Sequence, residues 1–205
     1  MADDPRSRPE TPLVVCIAGS PRRHGNSEQM LDACIRGIEA AGGVAERIAV
    51  VEYGIKPCQG CNACSLTGEC VVRDRMREIY PRLDAADAIV VASPVYFATV
   101  PAVLKALYDR CQPYWARIHV LKEPPAGPKR PGALLLVRGG GDSFGFQAAV
   151  YTTKSVFAVL GVECVEQVKV EGPDSPSDIG RHPDALMRAE EVGRSIVARV
   201  RGVGG

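Results

Sequence analysis

The chain has 205 residues, 46% of them hydrophobic and 24% charged, which suits one well-packed domain. Its 25 Lys and Arg balance 24 Asp and Glu, so the basic excess that marks nucleic-acid binding is missing. The longest apolar runs, such as Leu13 to Ala18 and Ala133 to Val137, hold six and five residues, against roughly 20 for a membrane span.

Leu13 to Ala18 is a β-branched apolar run ending in Gly-Ser-Pro, the pattern of a strand buried on both faces. Leu31, Cys34, Ile35 and Ile38 recur at helical spacing, and Gly42-Gly43 closes that helix. Val44 to Val51 is a second strand, whose Glu46 and Arg47 suit a sheet edge. Met76, Ile79, Tyr80 and Leu83 give a helix with one apolar stripe, and Ala88 to Ala92 is the third strand. Val103, Leu104, Leu107, Tyr108 and Cys111 mark the next helix, and the prolines of Lys122 to Pro131 make a loop. Ala133 to Val137 is the fourth strand, running into Gly139-Gly140-Gly141. A helix from about Phe146 to Leu160, a fifth strand from Val162 to Val170 and a last helix carrying Leu186, Ala189, Val192, Ile196 and Val200 complete the order. Buried strand and helix alternate five times. This predicts a doubly wound α/β fold, a parallel five-stranded sheet with helices on both faces.

The start, Met1 to Pro9, is polar and Pro-rich and has no apolar signal-peptide segment. Residues 1–11 are expected as a disordered lead-in and 12–205 as a single cytoplasmic domain, with no nucleic-acid or membrane partner. Disulfides are rare in that reducing setting. Eight cysteines therefore point to metal or redox chemistry.

In open α/β sheets ligands bind beyond the carboxyl ends of the strands. The first strand ends in Gly19-Ser-Pro-Arg-Arg-His-Gly-Asn-Ser27, directly before a helix. Unpaired N–H groups at a helix start suit a phosphate. The hydroxyls of Ser20 and Ser27, the Asn26 amide and the Arg22 guanidinium would add donors, and Gly25 allows the turn. The loop lacks the Lys-Ser/Thr ending of a nucleotide P-loop and the G-x-G-x-x-G dinucleotide fingerprint. The same residues also fit an ordinary helix start capped by Asn26 or Ser27. His24 reads as an exposed loop residue.

This Gly-Ser-Pro-Arg…Gly-Asn-Ser loop resembles that of the NAD(P)H-dependent FMN reductases of flavodoxin-like fold. Ser93-Pro94-Val95-Tyr96-Phe97, with Val100-Pro and Leu104 to Arg110 after it, resembles the segment after strand three in that family. The Gly139-Gly140-Gly141 turn is similar to its third flavin-contacting loop. The resemblance covers roughly residues 12 to 171 and implies FMN as cofactor and NAD(P)H as co-substrate. Tyr96 and Phe97 are then expected beside the flavin ring, where glycines let the backbone approach; packing beneath their own loop is the alternative. Arg22, Arg23 and Arg138 are candidate contacts for a nicotinamide phosphate.

Cys58, Cys61, Cys64 and Cys70 fall within thirteen residues at C-x2-C-x2-C-x5-C spacing. Bacterial ferredoxins hold a cubane with a related compact run, whereas structural zinc sites more often use two pairs set a dozen or more residues apart. Cluster, zinc and metal-free thiols all stand at this point. The run on the loop after strand two resembles the iron–sulfur flavoproteins of the same superfamily. That resemblance implies a [4Fe–4S] cluster and a homo-oligomer, dimer or tetramer. Cys16, Cys34, Cys111 and Cys164 read as small buried apolar residues. Tyr114-Trp115 fits a flavin cap, an interface or the core, and the charges of the last helix form a solvated face. His119 and His182 carry no assignment. The expected activity is FMN-dependent NAD(P)H oxidoreduction with a small-molecule or protein electron partner, and no side chain is assigned as acid or base. A cluster-free flavin or quinone reductase and a non-enzymatic electron carrier are the alternatives.

Overall fold

A computed structural model of the chain describes residues 11–123, 125, 127–141 and 143–202. The expected lead-in lies outside the described residues except for Thr11, as do residues 203–205 of the expected domain. The elements are β1 (Leu13–Ala18), α1 (Asn26–Ala40), β2 (Val44–Ala49), α2 (Cys64–Thr67), α3 (Met76–Ala85), β3 (Ala88–Pro94), α4 (Ala102–Asp109), α5 (Gln112–His119), β4 (Arg130–Arg138), α6 (Gln147–Val159), β5 (Val162–Glu171) and α7 (Pro183–Arg201). The strands pair in the order β2-β1-β3-β4-β5, every pair parallel.

Parallel neighbours need a crossover, and the helices that supply it cover both faces of the sheet. The strands are apolar on both sides for that reason. Val15, Ile17, Ile89, Val91, Leu134 and Leu136 face one layer, where α3, α4 and α6 contribute Ile79, Leu83, Leu104, Leu107 and Phe157. Val14, Cys16, Val90, Ala92, Ala133 and Leu135 face the other, against Met30, Leu31, Cys34 and Ile38 of α1 and Val192 and Ile196 of α7. β2 is an edge strand as its charges require, with Val44 to Arg47 reaching solvent. No described helix is long and apolar enough to cross a membrane.

β4 begins at Arg130, inside the stretch expected as a loop, α2 was not expected, and two further elements differ in extent. The second strand stops at Ala49, because residues 50–53 coil into a 3-10 turn that buries Val50 and Tyr53 and ends at Gly54 with φ 54°. The helix expected to run through Cys111 ends at Asp109, and α5 begins two residues beyond the Arg110 cap. Pro113 has no N–H to continue the ladder of α4, so the chain restarts as a separate helix. Nothing in the spacing announced α5, whose only buried residues are Pro113, Tyr114 and Ala116.

α1 and α7 cross at two reciprocal glycines. A Cβ at Gly37 would stand 2.0 Å from the Glu190 carbonyl oxygen, and one at Gly193 would stand 2.1 Å from that of Cys34. Backbone cannot yield as a side-chain tip can. Gly37→Ala and Gly193→Ala are each expected to lower stability by about 1–3 kcal/mol in urea unfolding, despite the helix propensity that Ala adds. Gly180→Ala, whose Cβ meets nothing within 4 Å, should stay within about 0.5 kcal/mol of the parent.

Candidate functional site

At the carboxyl edge of the sheet the loops after β1, β3, β4 and β5 enclose a cavity of about 320 Å³. Ser20, Arg22, Gly25, Asn26 and Ser27 line one side, Pro94, Val95, Tyr96 and Phe97 a second, and Gly139 and Gly140 a third. Of the residues expected at a flavin only Gly141 stands outside this wall. Val137, Arg138, Pro173 and Asp174 join it. The loop after β5 was missed because its residues match no motif; its place follows from a parallel strand ending on the same edge.

Gly25 caps α1 with extended backbone and, having no side chain, makes no side-chain cap bond to the first-turn amides. Neither Asn26 nor Ser27 is the cap; they are the first two helical residues. The Ser20 hydroxyl oxygen accepts the Arg22 N–H at 3.0 Å, which tightens the loop and leaves its own O–H to donate. The Asn26 amide is occupied at both ends. Its Nδ2 donates to the Ser175 carbonyl at 3.0 Å, and its Oδ1 accepts the Ile179 N–H at 3.1 Å. Asn26 therefore ties the segment after β5 to the loop after β1 with one of the two hydrogens on Nδ2.

Beneath the loop lies Glu28, buried in the first turn of α1. Its carboxylate accepts hydrogen bonds from Arg23 at 3.1 Å, from Arg47 at 3.1 Å and from the His24 N–H. Arg23 also pairs with Glu52. Burial works against the Glu28 charge, but the hydrogen bonds from Arg23 and His24 and the charges of Arg23 and Arg47 outweigh it, holding the carboxyl below its ordinary value. Arg138 pairs with Glu171 at 2.7 Å and lies 5.4 Å from the Phe146 ring centre.

Tyr96 and Thr99 exchange both backbone hydrogen bonds, at 2.8 and 3.1 Å, around Phe97 and Ala98. Both central residues have positive φ, 48° and 66°. This is the I′ geometry usually given to Asn and Gly, at a cost of order 1–3 kcal/mol per residue for other types. The turn leaves Phe97 fully exposed and Tyr96 42% exposed at the cavity mouth. The two rings do not pack beneath their loop.

Cys58, Cys61, Cys64 and Cys70 line a second cavity, also about 320 Å³, with Arg110, Gln112 and Pro113 in its wall. Gly60 and Asn62, with φ of 64° and 57°, turn the backbone between the first three. Cys64 opens α2 and is buried, and Gly68 ends that single turn with φ 71°. Burial, then the charges of Cys70, Cys58 and Cys61, push the Cys64 thiol up. All eight cysteines are free thiols, and among the described residues no three Cys, His, Asp or Glu converge on a single-ion position. Cys34 and Cys111 are buried and pushed up to about 12. Tyr114 packs in the core, donating to Asp84 at 2.8 Å, and lies outside the first cavity.

The base of the cysteine loop is a buried ion pair that no motif signalled. Arg110 Nη1 lies 2.6 Å from Asp74 Oδ2, with both side chains excluded from solvent. Burial opposes ionisation of Asp74, but hydrogen bonds from Arg110 and from the Lys56 and Met76 N–H groups hold it below the ordinary carboxylate range.

A family model described as NADPH-dependent FMN reductase matches residues 12–172. An iron-sulfur flavoprotein of Archaeoglobus fulgidus is 38% identical over 128 residues, which cover 62% of this chain and 56% of that one. The chain spans about half the length of the first curated relatives it matches. Among solved structures, an NAD(P)H:quinone oxidoreductase from Methanothermobacter marburgensis superposes with a TM-score of 0.64 at 21% identity, covering 91% of this chain and 99% of the other. A flavodoxin from the domain Archaea superposes with a TM-score of 0.53 at 14% identity, covering 92% and 99%. These two likenesses establish the flavodoxin-like fold.

Glu28→Gln removes the charge that Arg23 and Arg47 neutralise, and should cost about 1–3 kcal/mol near neutral pH. A carboxylate held below its unfolded value stabilises the fold above that value and loses the contribution as pH falls through the lowered one. The stability gap between parent and Glu28→Gln should therefore close on acidification through the carboxylate range. Denaturant titrations across that range decide it, and a constant gap contradicts it.

Proposed function

Because the chain belongs to the NADPH-dependent FMN reductase family, we propose that it is a cytoplasmic FMN-dependent NAD(P)H oxidoreductase of the iron–sulfur flavoprotein kind. The observation that carries the flavin reading is the first cavity, in which a helix start without a side-chain cap meets three further loops at one edge of the sheet. The residues present fit FMN. First-turn amides of α1, the Ser20 and Ser27 hydroxyls and Arg22 would hold the phosphate. Tyr96 and Phe97 offer apolar surface at the mouth, and Gly139 and Gly140 expose bare backbone in the third wall. When bound, the flavin supplies hydride and single-electron chemistry. The chain binds it, orients it and limits water around it. No side chain is needed as acid or base.

The second cavity fits a [4Fe–4S] cluster held by Cys58, Cys61, Cys64 and Cys70, which would supply single-electron storage. Four thiolates are the donor set such a cluster takes, and here they surround a cavity. A single tetrahedral zinc at Zn–S of about 2.3 Å would gather them about 3.8 Å apart around one point. A homo-oligomer belongs to the same reading. Phe97 at one cavity, and Leu66 and Val71 on the cysteine loop, are exposed apolar surface of the kind that subunits cover.

Ser20→Ala with Arg22→Ala should weaken FMN binding at least about tenfold, or 1.4 kcal/mol, with the circular dichroism of the parent retained. Unchanged flavin affinity, read by fluorescence quenching, removes this loop as the phosphate site. In protein purified or reconstituted without oxygen, Ser at any of the four clustered cysteines should sharply reduce iron and labile sulfide and leave FMN bound. One tightly held zinc per chain without sulfide would replace the cluster by a structural ion. Absence of NAD(P)H turnover with any small acceptor would make the protein an electron carrier.

A further inference from the structure

We propose that Arg110 sets the reduction potential of the cysteine centre; this rests on the cluster reading above. Arg110 is the joint between α4 and α5. Its N–H donates to the Ala106 and Leu107 carbonyls, and its carbonyl accepts the Tyr80 hydroxyl at 2.7 Å. The side chain runs inward and is fully buried. Nη1 donates to the Lys56 carbonyl at 3.0 Å and to Asp74, and Nη2 to the Val72 carbonyl at 3.4 Å and to Asp74 at 3.2 Å. Asp74 in turn accepts the Lys56 N–H at 2.9 Å. One ion pair thus grips the chain immediately before Cys58 and again just after Cys70.

These bonds account for both Nη groups. Nε–H is buried and has no partner. Buried donors are almost always paired, and one that is not calls for an explanation. Arg110 also forms part of the wall of the cavity that the four cysteines line. The acceptor assigned to Nε–H is a sulfur of the loaded centre, a cysteine thiolate or a sulfide. A donor and a positive charge at that wall favour the redox state carrying more negative charge, so they raise the potential. Lys cannot reproduce this. A single ammonium could meet Asp74 but would lack the planar fork that holds two carbonyls and keeps a further N–H to spare.

The test uses the full chain, reconstituted with FMN, iron and sulfide without oxygen, and reads the centre's midpoint by potentiometric titration followed by electron paramagnetic resonance. Two variants carry it: Arg110→Lys, and Arg110→Gln combined with Asp74→Asn, which removes the ion pair without stranding a charge. Both should load iron and sulfide, with the reduction equilibrium shifted at least tenfold toward the oxidised state, about 59 mV for a one-electron couple. The FMN midpoint should not move. Arg117→Ala, which removes a bond to the Gly68 carbonyl on the same loop from outside the cavity, should leave the centre's midpoint unchanged. Midpoints equal to the parent's in both Arg110 variants would overturn the proposal. So would loss of iron from both with FMN still bound and circular dichroism intact, since Arg110 would then be a loop clamp alone. A parent chain that takes up neither iron nor sulfide overturns the cluster reading itself.

Discussion

Every strand of a parallel sheet delivers its chain to the same edge, and each following helix arrives there with its first amides unpaired. The rest of the molecule is organised by that constraint. With the order β2-β1-β3-β4-β5 the connections leaving β1 and β3 run in opposite directions across the sheet, which opens a crevice between them. The loops after β1, β3, β4 and β5 close around it, and the cysteine loop follows β2 at the adjoining edge. α4 links the two cavities. It starts just after the Phe97 turn and ends at Asp109, next to Arg110, eight residues and about 12 Å of helix.

Loops this long have no core of their own, so buried charge shapes them. Under the first cavity Glu28 gathers Arg23, Arg47 and the His24 amide; under the second Asp74 gathers Arg110 and two amides. The Coulomb energy of such a pair is largely spent on desolvation. Its larger effect is geometric. A fork of fixed donors permits one path for the backbone, and both sites need that path to bring several groups to one place.

The fold was legible because burial on both faces writes itself into a strand as an unbroken apolar run, and Leu13 to Ala18, Ala88 to Ala92 and Ala133 to Val137 show it plainly. The loops were legible through their punctuation, Gly-Ser-Pro, Ser-Pro-Val-Tyr and the closely set cysteines. What could not be read is pairing across long separations. Asn26 meets Ser175 and Ile179, and Arg110 meets Asp74 and Lys56, and no local pattern records such partners. Arg110 was further disguised by its neighbours: with Leu107 and Cys111 beside it, the stretch reads as one continuing helix in which an arginine would face water. The short α5 was hidden in the same way, since a helix burying so few residues shows no stripe.

The glycine crossing of α1 and α7 has a consequence for how the protein is made. α1 begins in the wall of the first cavity, yet the surface around Gly37 has no cover until α7 packs on it, and Asn26 Nδ2 lacks its Ser175 acceptor until that segment exists. α1 ends at Ala40 and α7 begins at Pro183, a gap of about 140 residues that takes roughly 7–30 s to translate. During that interval the nascent chain holds every residue of the first loop but not the geometry that would retain a cofactor. On the proposed flavin reading, capture waits until the last helix has been made, and a chain truncated before it would have its strands but not this crossing.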